Sequence, residues 1–164
     1  MFRQATLADI PFLLDLQDRP EFLPAFGSDD AEGWQNLIEA PERRVLIWCE
    51  GADPAGLALL TLGRIDPSLV ELTRFGLASQ NRGTGGRALE ALFAYAFEEL
   101  SAFRFYLHCA VDNLRAQRVY ERAGMIHEGT LRQHWKRRIG DRSDLRIYGL
   151  LAEEWRESRR EVAA

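Results

Sequence analysis

The sequence has almost no lysine: 20 of its 21 basic residues are arginine, and Lys136 is the single exception. We read that bias as a codon preference of the genome rather than as chemistry. Cysteine is also scarce. The two present, Cys49 and Cys109, fall in apolar strand-like runs and match no metal-ligand spacing. They are expected to be reduced, buried thiols of a cytoplasmic protein. No uninterrupted apolar run approaches membrane-spanning length, and the opening MFRQATLADIPFLLDLQDRPEF carries acids inside its apolar part. Neither a membrane span nor a secretion signal is therefore expected. Internal repeats, low-complexity segments and linkers are absent too. A chain of 164 residues with 46% hydrophobic and 28% charged residues suits a single domain, 1–164, with one sizeable core.

The net charge of −4 conceals an asymmetry. Residues 1–100 carry a net −8 and residues 101–164 a net +4. An acidic half attracts an amine and a basic half a polyphosphate, although scattered solvated faces give the same count. The basic cluster Lys136-Arg137-Arg138 is too short, in an acidic chain, to mark a nucleic-acid partner.

Periodicity outlines the elements. Phe2 to Ala5 reads as a short strand. Thr6 is a candidate N-cap for a helix whose apolar face holds Leu7, Ile10, Leu14 and Leu13. A Pro- and Gly-punctuated loop follows, then a weaker helix over AEGWQNLIEA stopped by Pro41. The runs 43–51, 55–65 and 69–78 read as three strands with short links, an antiparallel meander. Leu89, Leu92, Phe93, Ala96, Phe97 and Leu100 then step by three and four as an amphipathic helix. Residues 103–111 form a buried strand, parallel and adjacent to 69–78 through that crossover. A helix from Asn113 to Gly124, a long hairpin turning at Gly140-Asp141 and a charged last helix complete the chain. The expected class is α/β: a mixed, mostly antiparallel sheet with a central parallel strand pair, flanked by helices.

Between the third strand and the long helix lies SQNRGTGG, residues 79–86. A nucleotide-triphosphate loop requires Lys and Ser or Thr after the last glycine, where this chain has Arg87 and Ala88. Gly83 to Ala88 fits G-x-G-x-x-A of dinucleotide-binding domains, and Asp112 stands near the end of the next strand. Such a domain needs further strand–helix repeats, which the 52 residues after Asp112 do not supply. A third reading starts at Gln80. Gln80, Asn81, Arg82, Gly83, Thr84 and Gly85 fit [Q/R]-x-x-G-x-[G/A]. Glycines let backbone N–H groups approach a phosphate at the positive end of the following helix, and Arg82 and Arg87 add charge. A plain Gly-rich turn remains the bland alternative.

In that motif the chain resembles the N-acetyltransferase (GNAT) superfamily. The strand–helix–strand unit 69–111 is similar to the family core, and Asn113 to Met125 is similar to its N-x-x-S/A-x-x-x-Y-x-x-x-G-F helix. Ala116 and Met125 depart from the commoner Ser and Phe. The hairpin resembles the branch of ribosomal-protein and other N-terminal-amine acetyltransferases. The resemblance implies that the parallel strands splay, that acetyl-coenzyme A lies in the gap, and that Gln80, Asn81, Arg82, Gly83, Thr84, Gly85 and Gly86 hold its pyrophosphate. It also implies contact with the cofactor arm at Asn113, which an ordinary N-cap role explains nearly as well. The backbone N–H of Leu77 or Ala78 is expected to polarise the thioester carbonyl.

Two residues carry the implied chemistry. Tyr120, a phenol that stays protonated at neutral pH, is the candidate acid for the departing thiolate, against the alternative of a core aromatic. Glu71 is the candidate base, against an acid paired with nearby Arg74. His108 either lines the amine pocket or is a satisfied core histidine. His127 and His134 match no ligand spacing, and no metal is expected. The expected partners are acetyl-coenzyme A and a primary amine, of a protein N-terminus or a small molecule, and the expected assembly is a monomer or homodimer. Acids at 29–32 point to a cationic acceptor. The competing class is a non-catalytic coenzyme A-binding or protein-interaction member of the same fold.

Overall fold

A computed structural model of the protein describes residues 1–78 and 83–163. Its apolar runs become β1 (Phe2–Gln4), β2 (Arg43–Glu50), β3 (Asp53–Leu62), β4 (Leu69–Leu77), β5 (Arg104–Ala110), β6 (Ile126–Lys136) and β7 (Arg142–Leu151). They form one sheet in the order β1-β2-β3-β4-β5-β7-β6. The first four strands are antiparallel neighbours, as the short links require. β5 joins parallel to β4, and the hairpin β6–β7 adds antiparallel beyond it. The expected α/β class and the parallel pair are both present.

The period-two alternation of the strands sorts side chains to two faces. Val45, Ile47, Leu57 and Leu59 pack against Leu13 and Leu16 of α1 (Ile10–Gln17) and Trp34 of α2 (Ala31–Glu39). On the opposite face Leu46, Leu60, Val70 and Leu72 meet Leu89, Leu92 and Phe93 of α3 (Thr84–Ala94). That helix continues as a π turn, Tyr95–Glu99, which sets Phe97 against Trp155 of the last helix. Between them in the chain, α4 (Leu114–Arg122) lies beside α3, and α5 (Ala152–Ala163) follows β7. Each fully buried leucine contributes about 1.5–3 kcal/mol of transfer free energy. Among the described residues no helix is long and apolar enough to cross a membrane.

The first helix departs from its expected face. Leu7 is 49% exposed, whereas Leu13 and Leu16 are fully buried. The cause is local: Leu7–Asp9 forms a separate 3-10 turn, and the α-helix begins only at Ile10. Leu7 is thereby thrown out of phase with the residues that follow. The turn is fastened by Asp9, whose carboxylate accepts the Thr6 N–H at 2.8 Å and two guanidinium bonds from Arg3 at 2.8 and 2.7 Å.

The feature that matters most for the site is where β4 and β5 stop pairing. Their register runs only from Leu69↔Arg104 to Leu72↔Leu107, although β4 continues to Leu77 and β5 to Ala110. The register of β4 against β3 slips at the same place, between Leu59 and Leu60, and passes over Thr73. A bulge bends its strand and sharpens the twist. This one therefore turns β4 away from β5 just after Leu72, and the sheet opens.

The Arg3 guanidinium holds the Asp9 carboxyl at about 2, well below the usual carboxylate range. A carboxylate with a depressed folded pKa stabilises above its unfolded value, near 3.9, and loses that contribution as the pH falls through the folded one. Asp9→Asn should therefore cost on the order of 2 kcal/mol at neutral pH. Urea midpoints should show a constant gap from wild type between pH 7 and 5, narrowing below about pH 4.

Candidate active site

The opened sheet leads into a cavity of about 770 Å³ whose walls come from both faces. Leu72 to Phe75 of β4 and His108 to Ala110 of β5 form its rims. Glu71 and His108 line it from the α1–α2 face of the sheet, and Tyr120 from the α3 face, where that residue belongs to the apolar core. Tyr120 and Glu71, 49 positions apart in the chain, thus border one space.

Backbone accounting at the end of β4 separates the two amides expected there. The Ala78 N–H is donated to the Ala55 carbonyl at 2.7 Å, so it is already spent. Donors alternate sides along an antiparallel strand. The N–H of Leu77, opposite Gly56, is therefore turned the other way, towards the gap. Ala78 keeps a structural bond on its carbonyl, from Arg19 Nη1 at 3.3 Å.

Of the glycine-rich loop, Gln80, Asn81 and Arg82 lie outside the described residues, with Ser79. Gly83 has φ +89° and precedes Thr84, the first residue of α3. Among the described residues, a side chain at Gly83 or Gly86 would meet nothing within 4 Å, which leaves room at the N-terminus of this 11-residue helix. Thr84 is buried, and its hydroxyl accepts a bond from Arg87 Nη2 at 3.4 Å. A Cβ at Gly85 would lie 3.5 Å from Val119 of α4. A helix start, where backbone N–H groups converge, suits a phosphate, and the gap beyond it suits an extended chain.

Asn113 caps α4, accepting the Ala116 N–H at 3.2 Å, and also borders the cavity. One turn on, buried Gln117 donates to the carbonyls of Ala110 and Val111 at 3.0 and 2.9 Å. Those bonds tie the end of β5 to the helix that carries Tyr120. Burial holds the Tyr120 phenol far above its ordinary range, with Cys109 and Tyr148 acting in the same direction. It is a proton donor at any physiological pH. Burial likewise pushes the Cys109 thiol up to about 12, so that sulfur is inert.

Glu71 pairs not with Arg74, as the alternative reading had it, but with His108. Its Oε1 lies 2.9 Å from His108 Nδ1, and Tyr106 donates to Oε2 at 3.5 Å. Arg74 turns instead to Asp29 at 2.5 Å and covers the Trp34 ring. Two of the three acids at 29–32 are engaged within the fold: Asp29 holds Arg74 and Asp30 caps α2 through the Gly33 N–H. His134, given no role by its spacing, stacks on His108 with ring centroids 6.3 Å apart. Only the β6–β7 pairing brings it there, so no local signal reveals it.

An aromatic pair beside the cavity forms a roof over β4. Phe22 and Phe26 stack at 4.8 Å, and both lie on Gly76 of β4, where a Cβ would come 2.6 Å from Phe26. The β6–β7 turn is strapped on by Arg137 to Asp112 at 2.6 Å and by Arg138 to Asp18 at 2.9 Å. Two of the three residues of the basic cluster are thus engaged in ion pairs within the fold.

A family model described as the acetyltransferase (GNAT) family matches residues 10–125. The chain belongs to the GNAT family. It is an acetyl-coenzyme A-dependent N-acetyltransferase. This GNAT chain is similar in structure to spermidine N-acetyltransferase from Vibrio cholerae, solved in complex with CoA and spermine. The TM-score is 0.83 and the identity 20%, over 94% of this chain and 96% of that one. A chimera of the Vibrio cholerae enzyme with hSSAT gives a TM-score of 0.82 and 23% identity, covering 96% and 99% of the two chains. A dodecameric form of the Vibrio cholerae protein gives 0.79 and 21%, covering 94% and 95%. At these identities the likeness establishes the fold.

Gly76→Ala tests the roof. The added methyl must displace the Phe22–Phe26 pair, so the KM for the amine should rise about fivefold, equivalent to ~1 kcal/mol. The KM for acetyl-coenzyme A should stay near wild type in the same steady-state assay.

Proposed function

We propose that this N-acetyltransferase acts on a small cationic primary amine of the polyamine type, with Tyr120 as the general acid and the Glu71–His108 pair as the proton acceptor. The observation that carries the reading is the single cavity through the splayed sheet, with a buried phenol on one side and a carboxylate–imidazole pair on the other. Acetyl-coenzyme A supplies the acetyl group as an activated thioester. The start of α3 and the Leu77 N–H are the groups suited to hold it, together with Asn113.

As the new C–N bond forms and the C–S bond breaks, the ammonium nitrogen gives up two protons. One leaves by way of the Glu71–His108 pair to solvent. Tyr120 places a proton on the departing sulfur, and the second proton of the nitrogen passes to the resulting phenolate and restores the phenol. Burial keeps Tyr120 in the protonated form before that step. The Leu77 N–H is placed to bond the carbonyl oxygen as negative charge develops on it.

Charge supports a cationic acceptor. The cations bordering the cavity, Arg74 and Arg137, are neutralised by Asp29 and by Asp112 with Asp141. Glu21 and Glu71 also line it, and Glu71 is bonded by His108 and Tyr106 rather than by a lysine or arginine. The structural neighbour solved with CoA and spermine agrees with such an acceptor. The hairpin's resemblance to N-terminal-amine acetyltransferases makes a protein α-amine the competing substrate.

Thiol release from acetyl-coenzyme A, measured over diamines, polyamines, amino acids and peptides, discriminates these acceptors. Polyamines should give the highest kcat/KM; a peptide α-amine preferred over all of them would overturn the assignment. Tyr120→Phe should lower kcat by roughly 10²-fold or more, the usual scale for a lost general acid. Its affinity for coenzyme A, read by thermal shift, should be nearly unchanged.

A further inference from the structure

We infer that the base is His108, acting through Nε2, and that Glu71 is a positioning residue that fixes its tautomer. The inference rests on the reading of an amine seated in this cavity and divides the work of the pair. An ionised carboxylate can only accept hydrogen bonds. With Glu71 Oε1 at 2.9 Å, His108 Nδ1 therefore carries the ring proton and donates it to Glu71. The neutral ring then has its lone pair on Nε2, and no protein group bonds that nitrogen among the described residues. His108 is 28% exposed and lines the cavity, so Nε2 is accessible to a ligand.

The groups facing the ring come from neighbouring strands. From β4, Glu71 holds it through Nδ1, and Tyr106 on β5 stands edge-on at 6.1 Å while donating to the same carboxylate. Burial keeps that phenol a donor. From β6, the His134 ring is stacked at 6.3 Å. Farther along the walls Arg74 and Arg137 are held by their own aspartates, and Glu21 faces the cavity from the loop after α1. Glu71 is thus the charge in direct contact with the ring. Its own position, hydrogen-bonded by His108 and Tyr106, makes it the less available of the two to the amine. The step balances simply: the ammonium N–H bond breaks, the proton joins Nε2, and the imidazolium releases it to solvent through the cavity. Glu71 keeps its charge throughout.

Histidine-selective NMR of the unsubstituted protein, with pH–rate profiles of two variants, tests the division. At neutral pH His108 should show the Nδ1–H tautomer. His108→Gln should lower kcat roughly 10²-fold or more, leave the KM for acetyl-coenzyme A near wild type, and abolish the acidic limb of kcat/KM. In His108→Ala, added imidazole should restore part of the rate, which a structural defect would not allow. Glu71→Gln should retain the acidic limb but move it to lower pH, since the imidazolium has lost its carboxylate. An Nε2–H tautomer, or a limb that survives in His108→Gln and vanishes in Glu71→Gln, would overturn the inference and leave the acetyl-transfer reading standing. Failure of the unsubstituted chain to release thiol with any amine would instead overturn that reading, and this division of roles with it.

Discussion

The structure depends on one interruption: four residue pairs into their parallel ladder, β4 and β5 part company. A sheet is held by continuous pairing, and leaving backbone groups unpaired is costly unless something else satisfies them. Here the cost is localised. The bulge at Thr73 turns β4, and the Thr73 hydroxyl secures the bend by donating to the Leu59 carbonyl at 3.0 Å. Gln117 bonds the carbonyls at the end of β5, where the other side of the opening needs support. Beyond Leu72 the β4 donors that face the gap, Leu77 among them, have no ladder partner on β5.

The opening joins two faces of a sheet that are otherwise sealed by separate cores. Glu71 and His108 lie on the face that α1 and α2 cover elsewhere, while Tyr120 is packed in the core beneath α3. The phenol and the carboxylate–imidazole pair are therefore kept in different environments. The phenol is desolvated and stays protonated, while the carboxylate–imidazole pair is partly exposed. One interruption in the ladder thus separates the proposed proton donor from the proposed acceptors.

Much of this was legible in the sequence because local pattern carried it. The meander followed from short links, the parallel pair from the crossover length, and Asn113 and Tyr120 from helical spacing with the motif they share. What escaped reading depends on long-range register. His134 reaches His108 only because β6 pairs with β7 and β7 with β5. Glu71 has Arg74 nearby in sequence, yet β4 bulges between them, and Arg74 turns to Asp29 on the opposite wall. The 3-10 turn at Leu7–Asp9 altered the phase of the first helix through a side-chain clamp that apolar periodicity does not register. Asp29 and Asp30 read as a lure for cations because composition cannot show that a charge is already paired.

Amide hydrogen exchange, with and without coenzyme A, tests the central claim most directly, because it reads the opened ladder itself. The Leu77 amide and the amides that open α3 should exchange readily in the free protein and slow on saturation with coenzyme A. The Ala78 amide, bonded to Ala55, should be protected in both states. Exchange at Leu77 that is slow in the free protein, or unchanged by bound coenzyme A, would contradict the account.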